Sequence, residues 1–308
     1  MYSRNLFVLD FARRFFVSRK GRCRKDSEST SDSQGGHTML TLSDGDFNRL
    51  YTYIQQHYGI NLSHKKQLIT SRLTNMLQQK GFHSFTEYID EIISGKDPEM
   101  VSVMLNKLTT NYTYFMREKE HFDFLQKQIL PELANKHSRD RSIAIWSAGC
   151  SSGEEPYNIS MYLKEYFSAL PGSWDTRILA TDISQRVLDS AMDPRYSLES
   201  LKELPPSWQE RYFVPIGDKT YTVSDALRKN VIFRSFNLMD PIHFRKKFDL
   251  IFCRNVMIYF DRPTKAALVR RFYDATAPGG YLFIGHSESL DKESCPFSYI
   301  EPAIYRKI

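Results

Sequence analysis

The feature that most constrains this chain is an apolar run that leads directly into glycines and then into the start of a helix. Residues 143–157 read IAIWSAGCSSGEEPY. Glycine lets the backbone approach a ligand closely, and proline is tolerated in the first turn of a helix. A strand, a glycine loop and a helix in this order form a nucleotide-type site at the carboxyl end of a parallel strand. A glycine turn that only packs a helix on a sheet is the alternative.

The spacing within this loop favours one class of nucleoside. Gly149 and Gly153 are separated by three residues, unlike the GxGxxG pattern of dinucleotide-binding loops. Glu154 and Glu155 at the helix start would repel a pyrophosphate. A cationic nucleoside without phosphate fits better, and S-adenosylmethionine has a sulfonium and no phosphate. An NAD-dependent oxidoreductase is therefore disfavoured.

Short β-rich runs alternate with helical segments through the rest of this region. The runs are 143–147, 177–181, 248–253 and 281–285. Such alternation predicts a parallel sheet flanked by helices, an α/β fold of the Rossmann-like type. The rhythm breaks between residues 195 and 230, where 212–223 reads as a β-hairpin around Gly217-Asp218. We therefore expect a small antiparallel β-subdomain inserted at about 195–230.

The preceding residues, 39–108, predict a small all-helical domain. Thr41 or Ser43 caps a first helix that ends at Gly59, and Ser63 caps a second that ends near Lys80-Gly81. Ser84 opens a third helix. Pro98 precedes a fourth.

The second helix carries a basic surface of uncertain purpose. Lys65, Lys66, Arg72 and Lys80 fall within one 120° arc of a helical wheel, and apolar residues share that arc. In one interpretation the aliphatic stems cover a core edge. In the other, the surface docks an acidic helix of a substrate. The sequence leaves the two open.

Residues 1–38 differ in character from the rest and predict a disordered or dispensable extension. An apolar, arginine-punctuated run at 6–17 precedes a polar stretch at 19–36. An amphipathic anchor or targeting segment is one interpretation, and residues from an upstream start are the other. Low-complexity polar sequence buries too little to order itself, which favours the second.

Charge and cysteine usage exclude several classes of protein. Residues 1–38 hold eight Lys/Arg and four Asp/Glu, which leaves the remainder a net charge of only +2. That excess is too small for a phosphate-tracking surface, so no nucleic-acid partner is expected. No run of about 20 apolar residues predicts membrane insertion. Four scattered cysteines without a Cys/His cluster predict reduced thiols in the cytoplasm and no metal site.

Further polar motifs follow other predicted strands or join the domains. Asp182 ends the second strand, where a carboxylate can accept both hydroxyls of a ribose or cap the next helix. TTNYTYFMRE at 109–118 straddles the join between the two predicted domains, and crevices between domains are common ligand sites. The alternative is a helix capped by Asn111 or Thr113. His286-Ser287-Glu288 are consecutive and cannot converge as a hydrolytic triad does.

Taken in order, six motifs resemble those of the CheR-type chemotaxis receptor glutamate methyltransferases. They are TTNYTYFMRE (109–118), WSAGCSSGEEPY (146–157), ATDI (180–183), FNL (236–238), FCRNVMIYF (252–260) and GGYLFIGHSE (279–288). The resemblance covers about residues 40–308. It implies an N-terminal helical receptor-docking domain at 39–108 and an S-adenosylmethionine-dependent methyltransferase domain at 109–308 with an inserted β-subdomain.

The resemblance also implies which residues form the site. It assigns cofactor contacts to Asn111, Thr113, Arg117, Glu155, Asp182, Asn237, Leu238, Asn255 and Val256. It marks Arg117 and Tyr259 as residues that shape the reaction centre, although Tyr259 could equally be an aromatic on a buried helix face. Met116, where an aromatic is usual, and the less glycine-rich loop at Cys150-Ser151 depart from the family pattern without removing a contact residue.

The activity implied is methyl transfer from S-adenosylmethionine to glutamate carboxylates of methyl-accepting chemotaxis receptors, giving methyl esters and S-adenosylhomocysteine. The partner implied is the cytoplasmic helical domain of those receptors, and a monomer is expected. The hairpin is short for the family, so docking should rest on Lys65, Lys66 and Arg72. A methyltransferase acting on RNA or a small molecule, and a non-catalytic signalling module, are the alternatives. The helical domain and FCRNVMIYF argue against the first, and the intact site residues argue against the second.

Overall fold

Four helices open the described part of the chain. The structure, a computed structural model, describes residues 40–308, and the prediction for residues 1–38 lies outside this range. The helices are α1 (Asp44–Tyr58), α2 (Lys66–Gln79), α3 (Phe85–Ser94) and α4 (Pro98–Leu108). Ser43 caps α1 by accepting from the backbone N–H of Asp46, and Gly59 ends it with a φ of 71°. Both ends of α1 agree with the sequence prediction.

The predicted cap of α2 is wrong. The backbone N–H and the hydroxyl of Ser63 both donate to Oδ1 of Asn61. The helix begins only at Lys66, and Lys65 before it makes no side-chain cap bond. A local side-chain acceptor competes with the helix for Ser63, so this residue stays in a turn.

The four helices share one apolar core. Ser84 caps α3 as predicted. The buried residues of α3 recur at helical spacing and are Phe85, Tyr88, Ile89 and Ile92. They pack with the buried faces of the other three helices, and Tyr259 and Phe260 of the sheet region lie against the same cluster. Removal of these apolar faces from water holds the helices together.

The remainder of the chain alternates strands and helices. Its helices are α5 (Lys119–Phe124), α6 (Leu130–Lys136), α7 (Glu154–Phe167), α8 (Gln185–Met192), α9 (Pro206–Tyr212), α10 (Asp225–Arg228) and α11 (Arg262–Ala275). Its strands are β1 (Ile145–Ala148), β2 (Ile178–Asp182), β3 (Tyr196–Ser197), β4 (Phe213–Gly217), β5 (Thr220–Val223), β6 (Val231–Ser235), β7 (Phe248–Cys253), β8 (Thr276–Ile284), β9 (Ser298–Glu301) and β10 (Ile304–Arg306).

Seven strands form the main sheet in the order β6-β2-β1-β7-β8-β10-β9. The first five are parallel, and β10 pairs antiparallel with both β8 and β9. β7 matches the predicted run at 248–253. β8 starts at Thr276, five residues before the predicted 281. Its ladder with β7 shifts register between Phe248 and Leu250, so that Thr276 pairs with Phe248 and Tyr281 with Leu250. The α/β prediction is confirmed, and the antiparallel edge is an addition to it.

The inserted segment forms a second sheet. β4 and β5 make the predicted hairpin, with Phe213 opposite Val223, and β3 pairs with the other edge of β5 in the order β3-β5-β4. Two residues are too few for β3 to be read from the sequence. Within residues 40–308, no helix has both the length and the apolar character needed to cross a membrane.

Candidate functional site

The glycine loop between β1 and α7 forms the floor of the site. Gly149 has a φ of 96°, and a Cβ there would lie 2.4 Å from Cγ2 of Val256. A side chain at this position would therefore be strained by its backbone and would also collide with its neighbour. The backbone N–H groups of Gly149 and Cys150 donate to the carbonyl of Thr181, which ties the loop to the end of β2.

Asp182 lies at that end and organises the adjoining turns. Its carboxylate accepts the backbone N–H of Ser151 at 2.9 Å and that of Ser184 at 3.0 Å. Ser184 itself caps α8 through the N–H of Val187, so Asp182 is free of the capping role. Burial raises the pKa of Asp182, and the backbone hydrogen bonds oppose this rise. One carboxylate thus stands at the strand end where a ribose would bind.

Glu155, in the first turn of α7, is held between two partners. Oε1 accepts the hydroxyl of Ser147 at 2.7 Å, and Oε2 accepts Nη1 of Arg254 at 3.1 Å. Burial raises the pKa of Glu155 despite the opposing charge of Arg254. Glu154 instead bonds the hydroxyl of Ser152 at 2.7 Å. Acidic groups at a helix start disfavour a phosphate and suit a cationic ligand.

The segment 109–118 passes over this floor without forming a helix. α5 begins only at Lys119 and has no side-chain cap, so the alternative of a helix capped by Asn111 or Thr113 is wrong. The carbonyl of Asn111 accepts the hydroxyl of Ser151 at 2.9 Å, while its buried Nδ2 has no partner. Arg117 donates from Nη1 to the carbonyl of Tyr112 at 2.7 Å.

The loop after β7 supplies the opposite wall. Asn255 has a φ of 58°, its backbone N–H donates to Glu288 at 3.0 Å, and its Nδ2 donates to Glu118 at 3.2 Å. A Cβ on Gly285 would lie 2.4 Å from that Nδ2, so only glycine fits behind it. Glu288 also accepts the backbone N–H groups of Gly285 and Ile258. Glu288, the last residue of His286-Ser287-Glu288, thus anchors the loop after β7.

Tyr259 joins this loop to the helical domain. Its hydroxyl donates to the carbonyl of Thr110 at 3.2 Å, and its own carbonyl accepts the N–H of Asn61 at 2.8 Å. Asn237 makes a similar link, because its Nδ2 donates to the carbonyl of His57 at 2.8 Å. The helices therefore meet the loops that form the site.

All ten residues predicted for cofactor contact and catalysis line one cleft. They are Asn111, Thr113, Arg117, Glu155, Asp182, Asn237, Leu238, Asn255, Val256 and Tyr259. Tyr58 and Ile60 also line it, although no sequence motif indicates that the end of α1 and the turn after it reach this cleft. The cleft thus lies between the helical and sheet domains, as predicted for the segment 109–118.

The basic residues Lys65, Lys66 and Arg72 do not line the cleft, and two of them already have partners. Lys66 pairs with Asp44 at 2.5 Å. Nη1 of Arg72 donates to the carbonyls of Lys107 at 3.2 Å and Leu108 at 3.0 Å, which close the end of α4. Arg72 therefore stabilises a neighbouring helix, whereas Lys65 is exposed and makes no side-chain cap bond.

Glu118, His121 and His286 are close enough to share a cation, since their ligand atoms lie within 4.8 Å of one another. His121 is fully buried, its ring nitrogens make no hydrogen bond, and Nδ1 lies 3.4 Å from Oε2 of Glu118. Burial together with Arg254 lowers the pKa of His121 to about 3. Both oxygens of Glu118 are occupied by Arg254, Asn255 and the backbone of His286. The positive charge of Arg254 and this full set of bonds disfavour a cation here.

The donor set of the cleft fits S-adenosylmethionine. The unpartnered Nδ2 of Asn111 is a buried donor that a bound ligand would satisfy. Glu155 and Asp182 offer negative charge to the cationic groups and acceptors to the ribose hydroxyls. Arg117, which also lines the cleft, is half-buried and bonded to its own segment.

Comparison with known proteins agrees with this geometry. Residues 111–305 match the family model "CheR methyltransferase, SAM binding domain", and residues 45–109 match "CheR methyltransferase, all-alpha domain". A "Chemotaxis protein methyltransferase" of Borreliella burgdorferi is 44% identical over 87% of this chain and 96% of its own length. Proteins of the same name from Salmonella typhimurium and Escherichia coli are each 36% identical over 86% of this chain, and 91% and 92% of their own lengths are covered.

The two family models together span nearly all of the described chain, and the relatives align over most of their own lengths. Most residues that line the acidic, glycine-floored cleft lie in the part that matches the SAM binding domain, and Tyr58 and Ile60 lie in the part that matches the all-alpha domain. This chain belongs to the CheR family of S-adenosylmethionine-dependent chemotaxis protein methyltransferases.

Proposed function

We propose that this protein transfers the methyl group of S-adenosylmethionine to glutamate side chains of chemoreceptors, giving glutamate methyl esters and S-adenosylhomocysteine. The observation that carries the proposal is the single cleft that gathers an acidic cofactor-binding floor with Arg117 and Tyr259. Those two side chains belong to the segments on either side of the cleft, 109–118 and 252–260. A substrate carboxylate entering there would meet one cation and one hydroxyl.

The residues of the cleft match a reaction that needs no general base. The nucleophile is a glutamate carboxylate, whose reference pKa of about 4.3 leaves it ionised at neutral pH. The cofactor supplies an electrophilic methyl group on a sulfonium when it is bound. The protein must orient the carboxylate and strip its water without holding it so tightly that attack is penalised.

Arg117 and Tyr259 are suited to that task. The guanidinium of Arg117 can orient the carboxylate by a charge-assisted hydrogen bond, and the hydroxyl of Tyr259 can donate one more. In the structure both side chains donate to backbone carbonyls of the segment 109–118, those of Tyr112 and Thr110. They are thus held close to where they would act, and a substrate carboxylate would replace a weaker, neutral acceptor.

The cofactor contacts divide by chemistry. Asp182 would accept the ribose hydroxyls, and Glu155 would face the cationic part of the ligand. Asn111, Thr113, Asn237 and Asn255 would supply amide and hydroxyl bonds, while Leu238 and Val256 would provide apolar contact. Asn255 and Asp182 are each fixed by backbone bonds, so little ordering is lost on binding.

The receptor would be engaged through the helical domain. The substrate is expected to be a cytoplasmic helical segment of a chemoreceptor, methylated by a cytoplasmic monomer. Lys65 and Lys66 lie at the start of α2 and offer positive charge to an acidic helix, while Arg72 contributes by fixing the end of α4 beside them. Each methyl ester removes one negative charge from that helix, which is a plausible signalling input.

The decisive experiment incubates the protein with methyl-labelled S-adenosylmethionine and membranes that contain chemoreceptors. We expect label in the receptor band and its release as methanol in base, because carboxyl methyl esters are base-labile and amide or amine methylation is not. Membranes without receptors are the control. Label that resists base, or that appears in RNA, would contradict the proposal.

A further inference from the structure

The cofactor contacts implied by the family resemblance do not include Arg254, yet this residue also lines the cleft. It follows β7 directly, and its side chain is only 2% exposed. Its guanidinium lies 5.5 Å over the ring of Phe122. A buried arginine is costly unless every donor is paired with an acceptor or a charge.

The pairs of Arg254 come from the two other segments that build the site. Nε and Nη2 donate to Oε2 of Glu118 at 3.3 and 3.1 Å, and Nη1 donates to Oε2 of Glu155 at 3.1 Å. Nη2 also donates to the backbone carbonyl of Arg117 in a short hydrogen bond. One guanidinium therefore joins the segment 109–118, the start of α7 and the loop after β7.

The bond to the carbonyl of Arg117 falls within a strained turn. Met116 and Glu118 have φ angles of 61° and 54°, so Arg117 is flanked by two left-handed residues that are not glycine. Each such residue costs on the order of 1–3 kcal/mol unless its surroundings enforce it. Arg254 enforces the turn at Glu118, and Met116 is held through its sulfur by Nδ2 of Asn158 at 3.2 Å.

The bond to Glu155 has an electrostatic consequence. Besides Arg254, the groups that face this carboxylate are the hydroxyl of Ser147, the carboxylate of Glu118 and the thiols of Cys150 and Cys253. Burial raises the pKa of both thiols, so they stay neutral. Burial and Glu118 both raise the pKa of Glu155, and among residues 40–308 Arg254 is the cation that opposes them.

We propose that Arg254 is a positioning residue for methyl transfer, which aligns Glu155 for the cationic cofactor and locks the turn that presents Arg117 to the substrate. The role of Arg254 in locking the turn at Arg117 rests on the proposed function, whereas its role in aligning Glu155 rests only on cofactor binding. Arg254 acts through these two residues, because its guanidinium is bonded to the carboxylate of Glu155 and to the backbone carbonyl of Arg117.

The test compares Arg254→Met, which removes the charge, with Arg254→Lys, which keeps the charge but loses the planar guanidinium that donates to several acceptors at once. Affinity for S-adenosylhomocysteine is measured by calorimetry from pH 6 to 9, a range in which we expect the parent's affinity to vary little. In Arg254→Met, Glu155 takes up a proton as the pH falls through its newly raised pKa. Affinity should then drop about tenfold for each pH unit below that value and recover at high pH.

Arg254→Lys should keep the flat pH profile of cofactor affinity, because an ammonium still opposes protonation of Glu155. It cannot reach both Glu118 and the carbonyl of Arg117, so the turn loosens. We expect single-turnover methylation to fall at least tenfold while cofactor affinity changes less than threefold, a split that general destabilisation would not produce. Arg306→Met, which loses an ion pair with Glu132 in another part of the sheet domain, is the control and should match the parent.

Each outcome decides between the two halves of the proposal. A parent-like pH profile in folded Arg254→Met would overturn the role at Glu155. Parent-like transfer by Arg254→Lys would overturn the role at Arg117, and this variant decides alone if Arg254→Met does not fold. A parent protein that binds S-adenosylhomocysteine but leaves receptors unlabelled would instead refute the proposed function, and the calorimetric comparison would still stand.

Discussion

Several residues around the cleft adopt a backbone conformation that favours glycine. Met116, Glu118, Ser151 and Asn255 have φ angles between 48° and 61°. The bonds that compensate this strain come from side chains of the site itself, such as the carboxylate of Asp182 on the N–H of Ser151 and that of Glu288 on the N–H of Asn255. Strained backbone persists where its surroundings over-determine it, and here that happens at the ligand cleft.

Asp182 should be the strongest single determinant of cofactor affinity. We expect Asp182→Ala to weaken binding of S-adenosylhomocysteine by about 1–3 kcal/mol, the scale of losing a charged hydrogen-bond partner in a buried site. Calorimetry measures this, with Asp189→Asn on the exposed face of α8 as the control. Unchanged affinity, or binding of NAD instead, would refute the assignment.

Protonation of Asp182 adds a pH dependence. Because burial raises the pKa of Asp182, the carboxylate is lost at a higher pH than an exposed aspartate would lose it. Affinity of the parent should be constant well above that pKa and fall as the pH drops through it, since the neutral acid is a poorer acceptor for two hydroxyls.

Tyr259 separates chemistry from binding. Tyr259→Phe removes the hydroxyl that donates to the carbonyl of Thr110 and keeps the packing of the ring. Cofactor affinity should stay within about twofold, whereas single-turnover transfer should slow by roughly ten- to a hundredfold, since a bond to the reacting carboxylate matters most near the transition state. Arg117→Ala should lower both quantities. Transfer by Tyr259→Phe at the parent rate would make the tyrosine a packing residue.

At the scale of elements, the basic residues of α2 form two groups at different positions along one face of the helix. Arg72 faces α4 and satisfies carbonyls that the helix end leaves unpaired. Lys65 and Lys66 lie at the N-terminal end of α2, where positive charge is unfavourable for the helix dipole. Positive charge at this end opposes the helix dipole, and no side chain caps the helix. We therefore infer that Lys65 and Lys66 serve an interaction outside α2.

Charge reversal at the start of α2 should weaken receptor methylation and spare cofactor binding. We expect Lys65→Glu with Lys66→Glu to cost about 0.5–1 kcal/mol of receptor affinity per lysine, with a larger effect at low ionic strength. Methylation at varied receptor concentration measures this. The control is Lys127→Glu, an exposed lysine of the segment Leu125–Ile129. Reversal of Arg72 is unsuitable, because it would disturb α4 itself. Activity that ignores the lysines would favour the β-subdomain as the docking element.

At the scale of the whole molecule, the helical and sheet domains share one site. Ile60 bridges to Phe260, and Gln55 donates to Asp261 at 2.6 Å. Tyr58 and Ile60 line the cleft beside the loops of the sheet domain. The helical domain therefore does more than carry a docking surface, because it completes a wall of the cofactor cleft.

Residues 1–38 should be dispensable for this assembly. A protein that starts at Met39 keeps every residue among 40–308 that lines the cleft, so its affinity for S-adenosylhomocysteine and its transfer rate should equal those of the full chain within about twofold. Removing residues 1–62 is the contrasting truncation, and it should weaken cofactor binding because Tyr58 and Ile60 are lost. Loss of soluble expression or activity in the protein that starts at Met39 would show that the extension belongs to the working enzyme.

The sequence by itself determined the local features of this protein. Caps such as Ser43 and Ser84, the apolar face of α3 and the strand at 248–253 follow from periodicity and from neighbours a few residues apart. Asp182 ends β2 and Asn255 follows β7 closely, and both strands are parallel neighbours of β1. The carboxyl ends of such strands meet at one edge of the sheet, which is where ligands bind. The remaining contact residues came from the family motifs.

Only the tertiary structure decided which residues hold the site together. Arg254 and Glu118 are 136 positions apart, and no local pattern distinguishes their ion pair from two solvated charges. The helical wheel of α2 places Arg72 beside Lys65 and Lys66, and only the packing of α2 on α4 brings it to the carbonyl of Leu108. Tyr58 and Ile60 reach the cleft because the helical core packs against Tyr259 and Phe260. Such pairings depend on how whole elements dock, since the free energy of burying a charge is set by distant partners and not by neighbours in the chain.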